Sequence, residues 1–143
     1  ERYVVLIHGS SKKSKQWPME HWLKVIQFFN VLGLRVLLPW GNLEEYHFSK
    51  SLRKASTNSL VLPKMNISDL ANIISGAKCL IGVDSGLTHL GNALGIPTIG
   101  LYLDSNPYLT GVYPNIKVPS VNLGEIGVTP TPESTISQIE AII

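Results

Sequence analysis

Cysteine, excess charge of one sign and long apolar runs are what this sequence has least of. Its one cysteine, Cys79, falls inside an apolar segment. It therefore reads as a buried small hydrophobe and not as a nucleophile or ligand, in keeping with a reducing cytoplasm. No run of about eighteen apolar residues exists, so nothing is built to span a membrane, and no signal peptide is recognisable. The formal net charge of +2 is too small to argue for nucleic acid, and no aromatic-plus-basic array could stack bases. No Cys/His cluster has metal spacing. The first apolar strand is not followed by GxGxxG, which removes the dinucleotide fingerprint, and neither GxSxG nor a Walker A sequence appears. Repeats, heptads and low-complexity tracts are missing as well.

What remains is sized for one globular domain with a real core: 143 residues, 44% hydrophobic and 15% charged. The chain begins at Glu1 and enters a strand almost at once, which suggests a domain cut from a longer protein. Its organising stretch is Lys78–Tyr102, KCLIGVDSGLTHLGNALGIPTIGLY. Cys79–Val83 and Thr98–Leu103 are short apolar runs that read as fully buried parallel strands. Between them the sequence predicts a helix of about three turns, stopped by Gly95 and Pro97.

Asp84-Ser85-Gly86 sits where the first of these strands ends and the helix begins. The N–H groups of Gly86, Leu87 and Thr88 should lack helical partners there and, with the helix dipole, offer an anion site. Asp84 or Ser85 could instead simply cap the helix. His89 adds an imidazole to the first turn, and ligands of open α/β sheets bind at this edge, outside the carboxyl ends of the strands.

The rest of the chain repeats the strand–helix theme. Tyr3–Ile7 is a strand followed by the turn His8-Gly9-Ser10-Ser11 and by Lys12, Lys13 and Lys15. That lysine loop is either a solvated surface or a second face of the ligand edge. A helix then carries Trp22, Val25, Ile26, Phe29 and Leu32 at helical spacing and closes at Gly33. Arg35–Leu38 is a strand, Pro39-Trp40-Gly41 a turn, and Glu44–Lys54 a polar helix. Glu44 and Glu45 are either first-turn stabilisers or carboxylates for ribose hydroxyls. Leu60–Leu62 is a strand, Met65 either core filler or a soft lid on a flat base, and Asn66 the cap of a helix over Ile67–Ser75. After the central unit, Asp104–Tyr113 is a loop long enough to be functional. Pro114–Val121 holds a short strand, and Thr131-Pro132-Glu133 starts a final helix. The alternation predicts an α/β fold: a Rossmann-like parallel sheet with helices on both faces.

The segments IHGSSKKSKQWPMEHW, LPWGNLEEY, GVDSGLTHLGNALGIPTIGLY and SNPYLTGVYP, in this order, resemble the C-terminal half of the ADP-heptose:lipopolysaccharide heptosyltransferases of bacteria. The WPxEHW and PWG pieces point to the heptosyltransferase I type. The resemblance implies the donor-binding, C-terminal domain of a two-domain, B-type glycosyltransferase, with a separate N-terminal domain for the acceptor. It implies ADP-heptose as donor substrate, no cofactor, no metal, and Kdo of lipid A–Kdo as acceptor. It further implies a cytoplasmic enzyme, at most peripheral to the inner face of the inner membrane.

By position, Ser10, Ser11 and Lys15 match the family's diphosphate loop, and Glu45 its ribose acid, with Glu44 one residue away. Met65 matches the methionine on adenine. Asp84, Ser85, Gly86, Leu87 and His89 match the contacts to pyrophosphate and heptose. Lys15 and Asp84 would support the leaving group and transition state, while the general base would belong to the N-terminal domain. Leu103-Asp104 departs from the Gly-Pro frequent among relatives. A stand-alone nucleotide-binding module and a sugar-nucleotide epimerase are the competing readings.

Overall fold

The computed structural model describes residues 2–10, 12–103, 120–125 and 127–143. In chain order the elements are β1 (Tyr3–Ile7), α1 (Met19–Val31), β2 (Arg35–Leu38), α2 (Leu43–Lys54), β3 (Ser59–Val61), α3 (Ile67–Ser75), β4 (Leu80–Val83), α4 (Gly86–Ala93), β5 (Thr98–Tyr102), β6 (Ser120–Gly124) and α5 (Pro132–Ile142). The strands form one sheet in the order β3-β2-β1-β4-β5-β6. Every neighbouring pair is parallel, from Val36↔Ser59 at one edge to Thr98↔Ser120 at the other.

Alternation within the strands splits the core in two, because successive side chains leave opposite faces of a sheet. Val4 and Leu6 join Val36, Leu38, Ile81 and Val83 under α1, α2 and α5, where Trp22, Phe29, Leu52 and Ile139 are buried. Val5, Ile7, Leu37 and Leu80 face the other way, onto Leu70 and Ile74 of α3 and Leu87 and Leu90 of α4. Burying each large apolar side chain stabilises by about 1.5–3 kcal/mol, so α1, with Trp22, Val25, Ile26 and Phe29 all inside, is held mainly by its buried stripe. Cys79 is fully buried, and burial pushes its thiol up to about 12, which fits the reading of it as a small hydrophobe.

Capping residues set several boundaries as the sequence predicts. Asn66 accepts from the Asp69 N–H at 2.8 Å, and Thr131 from the Ser134 N–H at 3.0 Å. Three expectations need correction. Helix α4 has eight residues, about two turns and not three, because Leu94 already caps it and Gly95 turns left-handed at φ 81°. Leu32 is not part of the buried stripe: α1 ends at Val31, and Leu32 is 44% exposed at the C-cap. The last strand is Ser120–Gly124, where five residues pair with β5, so the expected span Pro114–Val121 overlaps it only at Ser120 and Val121. The expected functional loop Asp104–Tyr113 lies outside the described residues.

Candidate functional site

The strand order reverses direction between β1 and β4, and a crevice opens where the loops after these strands diverge. A cleft of about 490 Å³ occupies that position. The loop after β1 contributes Gly9 and Ser10, α2 contributes Glu45, and the start of α4 contributes Ser85, Gly86 and Leu87.

Next to the lining residue Ser85 lies Asp84, the centre of a charged cluster, whose side chain is 8% exposed. Lys15, carried by a single 3-10 turn over Lys13–Lys15, places its ammonium 3.0 Å from Oδ2. His89 Nε2 stands 3.4 Å from Oδ1. The Ser10 hydroxyl donates to the Asp84 main-chain oxygen at 3.4 Å, which ties the β1 loop to the β4 loop. The lysine loop thereby divides: Lys12 and Lys13 are solvated, while the Lys15 side chain is only 19% exposed.

Neither of the residues proposed as helix caps caps α4 with its side chain. Asp84 lies one position too early, its carboxylate turned to Lys15 and His89. Ser85 occupies the N-cap without a capping hydrogen bond, and its hydroxyl meets the Thr88 hydroxyl at 3.2 Å. The first bond of the helix runs from the His89 N–H to the Ser85 carbonyl at 3.3 Å. The N–H groups of Gly86, Leu87 and Thr88 thus have no partner within the helix and mark its positive end. Thr88 also donates to Val83 O at 2.7 Å, drawing the helix start onto β4. That approach requires Gly82, where any Cβ would collide with the Thr88 hydroxyl.

Glu45 also lines the cleft, packed against Gly9 of the β1 loop. Asn42 caps α2 by accepting from Glu45 N at 2.8 Å, and the carboxylate reaches back to accept from Gly41 N at 2.9 Å and Asn42 Nδ2 at 3.2 Å. This reciprocal arrangement is close to a capping box and fixes the carboxylate before any ligand arrives. Glu44 behaves differently. It pairs at 3.5 Å with Lys13, both side chains being largely exposed, so the pair contributes little. Of the two acids left open by the sequence, Glu45 lines the cleft.

Met65 packs half-buried against the core cluster under α3 and α4 and is not among the residues lining the cleft. Ser11 lies outside the described residues. The apolar lining of the cleft comes instead from Pro39, Trp40, Ile67, Leu87 and Leu90. Only Leu87 is singled out by sequence reasoning. The signals for the others were there: Trp40 sits in the PWG turn after a strand, and Ile67 opens a helix at the ligand edge. The Trp40 N–H donates to Leu62 O at 2.6 Å, so this side chain offers the cleft a ring face and no donor. His8, the first residue after β1, is 3% exposed, and burial lowers its pKa to about 4.

Fold and site together define a Rossmann-like α/β domain whose crossover crevice pairs an apolar wall and a fixed carboxylate with a lysine and a helix N-terminus. The sequence profile of Glycosyltransferase family 9 (heptosyltransferase) matches residues 1–135. The chain belongs to that family. It is 39% identical over 111 residues to lipopolysaccharide heptosyltransferase 1 of Escherichia coli K12, a match that covers 78% of this chain and 35% of the relative. Its fold superposes on E. coli heptosyltransferase WaaC with ADP at a TM-score of 0.90 and 32% identity, covering 99% of this chain and 44% of the other. WaaC with ADP-2-deoxy-2-fluoro heptose matches at 0.86 and 31%, covering 98% and 43%. The chain spans about a third of the length of the curated relatives it matches, with 35% coverage of the E. coli K12 protein.

Proposed function

We propose that residues 1–143 are the donor-binding domain of an inverting, metal-independent heptosyltransferase that moves heptose from ADP-heptose to Kdo of the lipopolysaccharide inner core. The supporting observation is the make-up of the cleft: apolar Trp40 and Ile67, the Glu45 carboxylate, Ser10 and the α4 N-terminus line it, and the loop and helix that carry Ser85 and Gly86 also carry Asp84 and His89, with Lys15 paired to Asp84. That set of groups suits a nucleoside diphosphate sugar: an apolar wall for the base, a carboxylate for the ribose and cationic or N–H donors for the diphosphate. Two structural neighbours are E. coli heptosyltransferase WaaC with ADP and with ADP-2-deoxy-2-fluoro heptose.

On this reading Glu45 accepts from the ribose hydroxyls, and Lys15 with Ser10, Ser11, Ser85 and the N–H groups of Gly86, Leu87 and Thr88 takes the diphosphate. Breaking the sugar–phosphate bond leaves negative charge on ADP, and on this reading these donors meet that charge as it grows. Asp84 and His89 orient the heptose. An acceptor-binding N-terminal domain of the complete protein supplies the base that deprotonates the Kdo hydroxyl. No cofactor enters the scheme.

The test is a transfer assay with the complete protein, ADP-heptose and Kdo-bearing lipid A, product being read by mass spectrometry. Heptosyl transfer by the complete protein and none by residues 1–143 is expected. Turnover by residues 1–143 alone, or by the complete protein with another sugar nucleotide in preference to ADP-heptose, would overturn the proposal.

A further inference from the structure

Behind the cleft residues Gly9 and Glu45 lies a buried polar pair that the scheme above does not use. His8 Nε2 lies 2.6 Å from the hydroxyl of Ser49, which is fully buried, and the His8 ring contacts the Phe48 ring at a centroid distance of 4.7 Å. Glu45, Phe48 and Ser49 stand at i, i+3 and i+4 on α2 and therefore share one helix face. The next residue of the β1 loop, Gly9, packs so closely on the Glu45 carboxylate that a Cβ would overlap it. Two consecutive residues at the end of a central strand thus hold three residues of one helix face.

We propose that His8 is a positioning residue: through Ser49 and Phe48 it fixes the first turns of α2, and so sets where the Glu45 carboxylate stands in the cleft. The inference rests on the reading that Glu45 contacts the nucleotide, and it adds the residue that holds Glu45 there. Capping by Asn42 fixes the carboxylate relative to its own helix, but not the helix relative to the β1 loop. His8 supplies that second restraint. Its burial keeps the imidazole neutral near pH 7, so the ring acts by packing and one hydrogen bond and not as a charge. A cavity of about 30 Å³, room for one water, is lined by His8, Gln16, Glu44, Glu45 and Phe48. Truncating His8 would enlarge this space and give Glu45 somewhere to swing.

The experiment is an ADP titration by calorimetry on the complete protein and its variants Glu45→Gln, His8→Ala, His8→Gln, Ser49→Ala and the double variant His8→Ala/Glu45→Gln, each accompanied by a thermal melt. Misplacing a binding group by a fraction of an ångström to an ångström is expected to weaken ADP binding about tenfold in His8→Ala. His8→Gln, which keeps a nitrogen near Nε2, should recover most of the affinity, and Ser49→Ala should show a smaller loss in the same direction. Once Glu45 is already Gln, His8→Ala should change ADP affinity less than about twofold, the signature of two residues acting through one contact. Additive losses in the double variant would overturn the positioning role and leave the ADP site standing. No loss in Glu45→Gln alone would remove Glu45 from the site, and the inference with it. Should His8→Ala fail to fold, Ser49→Ala with and without Glu45→Gln gives the same test: coupling supports the inference and additivity overturns it.

Discussion

Replacing Asp84 by asparagine keeps shape and removes charge, and the structure says where the cost should fall. Asparagine caps helices about as well as aspartate, so a capping role would make the change nearly neutral. Asp84 does not cap α4. Its carboxylate is 8% exposed, with an ammonium at 3.0 Å and an imidazole at 3.4 Å. Removing one partner of a fully buried ion pair typically costs 3–5 kcal/mol. Lys15, however, is already 19% exposed and can swing to water, and Asn can still accept one hydrogen bond. A loss near that of one charge-assisted hydrogen bond, about 1.5–3 kcal/mol, is therefore expected. For residues 1–143 alone that lowers Tm by roughly 5–10 °C, and for the longer complete protein by less. ADP affinity should stay within about threefold, because the lysine freed from Asp84 remains available to phosphate, whereas kcat/KM for ADP-heptose should fall at least tenfold, about 1.4 kcal/mol of transition-state binding. The assay pairs a thermal melt with calorimetry and steady-state kinetics on the complete protein. An unchanged melt with unchanged kinetics would refute the assignment.

Other consequences follow from single contacts. Gly82→Ala should destabilise by about 1–3 kcal/mol, as overpacking does, because the new methyl meets the Thr88 hydroxyl; Thr88→Ala in the same chain should recover part of the loss in a denaturant titration. Stability should also depend on His8 with a definite sign. The folded imidazole titrates at about 4 against about 6.5 unfolded, so as pH falls the unfolded chain takes up the proton first. Stability is then full above about pH 6.5, declines through the window down to about pH 4, and loses roughly 3 kcal/mol from this group in all. Melts at pH 7, 5.5 and 4.5, as test conditions chosen around that window, should show a shallower decline in His8→Gln than in the parent; equal slopes would contradict the buried neutral imidazole.

Much of this architecture is legible from local chemistry. The apolar runs at Tyr3–Ile7, Arg35–Leu38 and Thr98–Tyr102 are continuous because both faces of the sheet are covered, and Asn66, Thr131 and Gly95 announce helix boundaries as caps and stops. Asp84, Ser85 and Gly86 could be placed at the ligand edge for the same reason: a strand-to-helix turn in a parallel sheet can face only that way. The partners were harder. That Asp84 meets Lys15, sixty-nine positions away, depends on β1 and β4 being neighbours, and the strand order is a tertiary fact. Glu44 and Glu45 are equivalent in sequence and differ only in which side of α2 faces the β1 loop. Trp40 and Ile67 look like a turn residue and a helix start until folding brings them to one wall. His8 is invisible as a holder of α2 because its partner Ser49 carries no pattern of its own.

The claim that this cleft receives the diphosphate of a sugar nucleotide is tested most directly by comparing ADP, AMP and adenosine as calorimetric titrants of the parent and Lys15→Ala proteins. Loss of the lysine should weaken ADP binding by about 1.5–3 kcal/mol, weaken AMP less, and leave adenosine unchanged, since each phosphate removed takes away a partner of the ammonium. Equal losses for ADP and adenosine, or no loss for any of the three, would contradict it.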